Sequence, residues 1–292
     1  MIGIYHSKDL DGWCSGAIIK KKYPSAKMIS WDYGEPLPYI VFKEMFTQDE
    51  DVIMADISFS MPNMVELCQK VKTVIWIDHH VSAINDYIQF TSDLIPSNLE
   101  IVLNAKVAAC ELIWYHLFPQ LEMPFSIELL GIYDSWRNED IVFWDNVIMP
   151  FQYGVRLICH DLDSFPIELL GFVCIDHFIR DGKNIIKYQD QLNKTQCQKK
   201  AFFTMFKKFK AICLNTGIFN SNVFKSIYNE NDHDIMIPFQ FNGRSWDVSL
   251  YTTKDNVDCS ILAKLYGGGG HRKAAGFKVN DISKVFNNFM NI

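Results

Sequence analysis

Long apolar runs are missing from this chain. No stretch approaches the roughly 20 consecutive apolar residues that a membrane-spanning helix needs, so a membrane partner is not expected. The eight cysteines, at positions 14, 68, 110, 159, 174, 197, 213 and 259, form no Cys-x-x-Cys pair. That argues against a zinc ribbon or a disulfide framework and for a reducing cytoplasm. The opening residues Met1-Ile2-Gly3-Ile4-Tyr5 lack the basic region and long apolar core of a secretory signal, so a cytoplasmic location is expected. An excess of positive charge is missing too: 28 Lys+Arg stand against 34 Asp+Glu, a net charge of −6. Gripping a long nucleic acid takes many Lys or Arg contacts to phosphate, so that class of partner is excluded. Internal repeats and low-complexity tracts are absent.

What is there is enough for a large core. Of the 292 residues, 49% are hydrophobic and 21% charged, as in globular proteins of two domains or one large one. The charge is unevenly spread. The first 200 residues carry 17 basic against 27 acidic side chains, and the remainder 11 against 7. Such an asymmetry fits an acidic, cation-holding domain beside a phosphate-holding one, and also fits ordinary variation along a chain.

Four short apolar runs in the first half read as strands: Ile2 to Tyr5, Lys27 to Trp31, Asp51 to Ala55 and Lys72 to Ile77. Helical patterns lie between and after them, beginning near Gly12, following Pro62, and over 106–118 and 126–133. Strands alternating with helices predict βαβ units and a parallel sheet. Residues 176–210, rich in Lys, Gln, Asn and Phe, read as one or two connecting helices. Beyond them, 210–214 and 245–251 read as strands, and 258–266 as a helix. The expected domains are 1–180, a helical linker 181–209, and 210–292.

The chemistry-bearing residues sit just past apolar elements. Asp78-His79-His80 follows the fourth strand. His6-Ser7-Lys8-Asp9-Leu10-Asp11-Gly12 follows the first, Asp56 follows the third, and Asp134 follows an apolar helix. In open α/β sheets ligand sites form at the C-terminal ends of strands. Taken singly, each residue also reads as a solvated cap or turn, and Asp9 as the cap of the next helix. Taken together, several carboxylates at one sheet edge repel one another unless cations sit between them. Carboxylate oxygen with imidazole nitrogen suits Mn, Mg, Fe or Zn. Near the C-terminus, the four glycines of Gly267-Gly268-Gly269-Gly270-His271-Arg272 let backbone N–H groups approach a phosphate.

This set, continued by Lys273-Ala274-Ala275-Gly276-Phe277, resembles the DHH/DHHA1 phosphoesterase superfamily, which contains oligoribonucleases, single-strand exonucleases and cyclic-dinucleotide phosphodiesterases. The resemblance spans nearly the whole chain. Its most specific pieces are the acid-His-His triplet after a strand and the glycine segment ending in His271. One spacing departs from the family's more usual form: two residues separate His6 from Asp9, not three. The resemblance implies a Rossmann-like parallel-sheet domain and a smaller mixed α/β domain with the active-site cleft between them. It implies two Mn²⁺ ions, or Mg²⁺ or another divalent metal. Asp56 would bridge them, with His6 and Asp9 on one ion and Asp11, His79 and Asp134 on the other. His80 would face the scissile phosphate and Asp78 would orient the site from behind. Gly268, Gly269, Gly270, His271 and Arg272 would hold the substrate's far end. Trp136 and Arg137, beside Asp134, would line the site.

The implied activity is hydrolysis of short oligonucleotides to nucleoside 5′-monophosphates by a metal-activated hydroxide, in a monomer or homodimer. Alternatives are a cyclic dinucleotide, its linear product or a nucleoside 3′,5′-bisphosphate as substrate, and a nucleotide-binding module without catalysis.

Overall fold

Strands β1 (Ile2–His6), β2 (Lys27–Trp31), β3 (Asp51–Ala55), β4 (Thr73–Asp78) and β5 (Leu99–Leu103) make one sheet in the computed structural model, which describes residues 1–218 and 220–286. The sheet is wholly parallel, in the order β2-β1-β3-β4-β5. Its central strands β1, β3 and β4 are largely buried on both faces, which is why they read as nearly continuous apolar runs. Ile2, Ile4, Val52, Met54, Val74 and Trp76 pack on one side, with Met64 and Leu67 of the helix Met61–Lys70. Tyr5, Ile53, Ala55 and Ile77 pack on the other, against the helices Leu10–Lys22, Ala109–Leu117 and Phe125–Asp134.

The strand order reverses between β1 and β3. Open α/β sheets bind ligands at such a switch point, outside the carboxyl ends of the strands. His6 ends β1 and Asp56 follows β3, so the switch point falls between two of the expected ligands.

The chain divides into two compact units, Met1–Ile185 and Ile186–Ile292, the division falling within the 25-residue helix Asp176–Lys200. The last positions of the expected 210–292 domain, 287–292, lie outside the described residues. The second unit carries a mixed sheet ordered β10-β11-β9-β8-β7-β6. Its strands are β6 (Phe202–Phe206), β7 (Phe209–Asn215), β8 (Ile235–Phe241), β9 (Trp246–Tyr251), β10 (Gly269–Gly270) and β11 (Ala274–Val279). The α/β class with a second, smaller unit built on a mixed sheet is the expected one. The connector differs from expectation at its end. Its helix stops at Lys200 and 202–206 is strand β6, because Phe202, Thr204 and Phe206 turn inward while Phe203 and Met205 face solvent, the period of two of a half-buried strand. Among the described residues no helix is long and apolar enough to cross a membrane.

Candidate metal centre

The first motif is built around a close approach. Asp9 caps the helix Leu10–Lys22, its carboxylate accepting from the Gly12 N–H at 2.9 Å. This helix start presses on the end of β1: a Cβ at position 12 would lie 2.1 Å from the His6 carbonyl oxygen. Glycine at 12 is therefore what lets His6, Asp9 and Asp11 share one corner. Asp11 is buried and accepts from the Ala109 and Cys110 N–H groups at 2.9 and 2.7 Å. These are the first amides of the helix Ala109–Leu117, where the helix dipole favours an anion.

Asp56 occupies the centre. It is 1% exposed and sits at φ +62°, in the left-handed region that aspartate enters more readily than most residues. Its two oxygens face different neighbours. Oδ2 lies 3.3 Å from His6 Nδ1, which is 3.1 Å from Asp9 Oδ2. Oδ1 lies 3.3 Å from His79 Nε2, which is 3.5 Å from Asp11 and 3.2 Å from Asp134. Three overlapping groups with ligand spacing result: His6, Asp9 and Asp56; Asp11, His79 and Asp134; and Asp56, His79 and His80. Asp78 stands behind them. One of its oxygens accepts from the His79 N–H at 2.7 Å and the His80 N–H at 3.0 Å, and lies 2.7 Å from His80 Nδ1.

The electrostatics ask for cations. Among the described residues, neither Asp56 oxygen nor His6 Nδ1 has a hydrogen-bond partner, although all three atoms are buried. Buried polar atoms in native proteins are almost always satisfied. Burial, then the charge of Asp56, pushes the Asp11 carboxyl up to about 8. Burial, then Asp11, pushes Asp134 up to about 7. Burial opposes charge on His6 and His79, but the surrounding carboxylates outweigh it and raise both to about 10. His80 is raised as well, chiefly by its bond to Asp78. Carboxylates and imidazoles crowded in this way hold protons that a divalent cation displaces on binding, and their oxygen and nitrogen donors suit one.

Asp32 was missed in the sequence. It directly follows β2, the same signal that marked Asp56, and its Oδ1 lies 3.4 Å from His6 Nε2. A metal-ligating histidine commonly gives its second ring nitrogen to a carboxylate, and Asp32 is placed to serve as that partner.

No family model matches the chain. Oligoribonuclease NrnB of Bacillus subtilis is 23% identical over 96% of the chain and 73% of its own length. The uncharacterized protein R106 of Acanthamoeba polyphaga mimivirus is 25% identical over 80% of the chain, which spans only 54% of that relative's length. Among solved structures, the pGpG-specific phosphodiesterase PggH of Vibrio cholerae superposes with a TM-score of 0.56 at 13% identity, covering 97% of this chain and 94% of its own. An exopolyphosphatase-related protein of Bacteroides fragilis gives 0.53 at 14%, covering 96% and 86%. The chain shares the fold of these two solved structures.

Within the first unit, Arg137 is committed to a partner. Its Nη2 donates to Glu111 Oε2 at 2.5 Å and its Nε to Ser135 Oγ at 2.8 Å. Trp136 stands at φ +55° and 66% exposed, where the helix Phe125–Asp134 ends with Arg137 N–H on the Ile132 carbonyl and Trp136 N–H on that of Tyr133. Glycine usually fills that position.

The glycine segment lies in the second unit. Gly267 has φ +76° and Gly270 +136°, and a Cβ on Gly268 would lie 2.1 Å from the Gly276 carbonyl oxygen. The β10–β11 hairpin itself thus requires three of the four glycines. Only Gly269 combines an ordinary φ with open space around its Cβ position. The Arg272 guanidinium donates to the Asp255 carbonyl, and Lys273 Nζ lies 2.7 Å from both the Thr253 carbonyl and Asp255 Oδ1. His271 is exposed. A pocket of about 560 Å³ lies against Gly267 and Gly268.

These differences separate hairpin geometry from phosphate binding. Gly268→Ala is expected to destabilise by roughly 2 kcal/mol or more, from overpacking against backbone. Gly269→Ala is expected to leave the melting temperature within about 2 °C. If Gly269 lies against a substrate phosphate, it raises KM severalfold; an unchanged KM would remove Gly269 from the substrate site.

Proposed function

We propose that the chain is a divalent-metal phosphodiesterase that hydrolyses short oligonucleotides to nucleoside 5′-monophosphates, with two Mn²⁺ ions as its metals. The observation that carries this reading is Asp56, whose two unpartnered oxygens face two different groups of ligands. Asp56 would bridge two cations, with His6 and Asp9 on one side and Asp11, His79 and Asp134 on the other. Bound there, two cations supply a nucleophile from water at neutral pH and neutralise charge on the phosphoryl oxygens.

The remaining work falls to side chains. Asp78 holds His80 through Nδ1 and favours its protonated form, in which Nε2–H would donate to a phosphate oxygen. Asp11, anchored by two helix amides, and Asp9, anchored as a cap, hold their carboxylates without rearrangement when substrate binds. Such preorganisation is where most of the electrostatic gain in catalysis arises. In the second unit, Gly269 and His271 are the residues that would contact a substrate phosphate. The sequence similarity to oligoribonuclease NrnB over 96% of the chain favours an oligoribonucleotide as substrate.

Di- to pentanucleotides and cyclic dinucleotides, incubated with the protein and Mn²⁺ and resolved by product mass, test the reading. Mononucleotides carrying a 5′-phosphate are expected from the linear substrates. Intact linear substrates would end it, and faster cleavage of the cyclic compounds would move the substrate class to them. Cation binding has its own expected signature. Mn²⁺ at about 100 times its dissociation constant should stabilise by about 2.7 kcal/mol, raising the melting temperature by roughly 5–10 °C. An unchanged melting temperature on adding Mn²⁺ would refute the metal centre.

A further inference from the structure

We propose that Tyr33 determines specificity in this site by offering its ring as a stacking face for a nucleobase of the substrate. The inference rests on the phosphodiesterase reading above. Tyr33 follows β2 at the second position of a tight turn. The Glu35 N–H donates to the Asp32 carbonyl at 3.1 Å, Asp32 Oδ1 accepts from the Tyr33 N–H at 2.8 Å, and Gly34 takes φ +91°. The turn is built to fix one side chain. The Tyr33 hydroxyl accepts from the Ser58 N–H at 3.3 Å and lies 3.4 Å from Ser58 Oγ, two residues past Asp56. The ring meets Trp31 edge-on at 5.6 Å, and Trp31 in turn meets Phe59 at 4.8 Å. Both supporting rings are buried.

So anchored, Tyr33 is still 49% exposed, and its centroid lies 6.3 Å from that of His6 and 6.4 Å from that of His80. A phosphate bound at those imidazoles carries its nucleoside within reach of the ring. A rigid, half-exposed aromatic loses little conformational entropy on contact, and stacking tolerates any base because every base has a π-face. The hydroxyl is already engaged with Ser58, so the ring is what remains to offer.

Equilibrium binding decides this without turnover. Dissociation constants for AMP and for ribose 5-phosphate are measured on the Mn²⁺-loaded protein, for wild type, Tyr33→Phe and Tyr33→Leu. Tyr33→Leu is expected to weaken AMP about 10- to 100-fold, leave ribose 5-phosphate and the Mn²⁺-induced melting shift unchanged, and Tyr33→Phe to stay within about twofold of wild type. Equal losses for both ligands would make Tyr33 a support for His6 and His80 and overturn the proposal, as would unchanged AMP binding. If wild type cleaves no oligonucleotide yet shows the base-dependent difference, the activity reading falls and Tyr33 stands. If wild type binds AMP no better than ribose 5-phosphate, Tyr33 falls whatever the turnover.

Discussion

Asp56→Asn is expected to lower kcat by roughly 10³-fold or more, about 4 kcal/mol of lost transition-state stabilisation, while leaving the metal-free protein at least as stable as wild type. The two halves of this expectation have one cause. Both oxygens of Asp56 are needed, one toward each ligand group, and an amide offers a single neutral oxygen and turns N–H donors toward the other group. The same change removes a negative charge from a corner that holds Asp9, Asp11 and Asp134, so repulsion in the metal-free state falls. Asparagine, like aspartate, also tolerates the φ of +62°. A calorimetric melt with and without Mn²⁺ separates the two effects: the metal-free transition stays or rises, and the metal-induced shift shrinks or vanishes. An Asp56→Asn protein with wild-type turnover would remove Asp56 from the centre of the site.

Much of the first unit could be read before any coordinates. Its strands are short because a parallel strand buried on both faces needs only about five mostly apolar residues, and β1, β3 and β4 stand out for that reason. The acids beyond them stand out because a charged residue directly after such a run marks a sheet edge. That logic extends to Asp32, which follows the recognised strand ending at Trp31 and is near His6 only because β2 pairs with β1. Strand β5 was hidden because Glu100 interrupts it and its residues are only partly covered. Strand β8 was hidden by Pro238, a residue that normally argues against a central strand. Its pairing with β9 passes from Met236–Tyr251 to Phe239–Val248, stepping over the proline, which has no N–H to donate. Nor could spacing alone tell which glycines of 267–270 serve the hairpin and which leave backbone free, since that depends on what β11 brings opposite them.

The pairing of Glu111 with Arg137 was equally invisible, and it underlies the largest expected loss of stability. Glu111 is buried, and its Oε2 accepts from the Ala108 N–H at 3.0 Å and from Arg137 at 2.5 Å. It packs so closely on the helix Phe125–Asp134 that a Cβ on Gly131 would lie 2.3 Å from it. Glu111→Ala therefore removes three things together: the charge opposite Arg137, the acceptor for a buried amide at a helix start, and the wedge between two helices. Breaking a buried ion pair on one side costs about 3–5 kcal/mol. Arg137 is 29% exposed and reaches water, which puts the expected cost near 3 kcal/mol, a fall in melting temperature of roughly 6–12 °C. Glu111→Gln keeps the shape and both acceptor contacts and should cost about 1 kcal/mol. Both helices carry the site, since Asp11 is held by the amides of Ala109 and Cys110 and Asp134 ends the helix that Glu111 touches. Mn²⁺ affinity is thus expected to fall with Glu111→Ala even at temperatures where the protein stays folded. A double-mutant cycle with Arg137→Ala measures the pair itself. Strictly additive losses would show that Glu111 acts only as a cap and a wedge, with no coupling to the arginine.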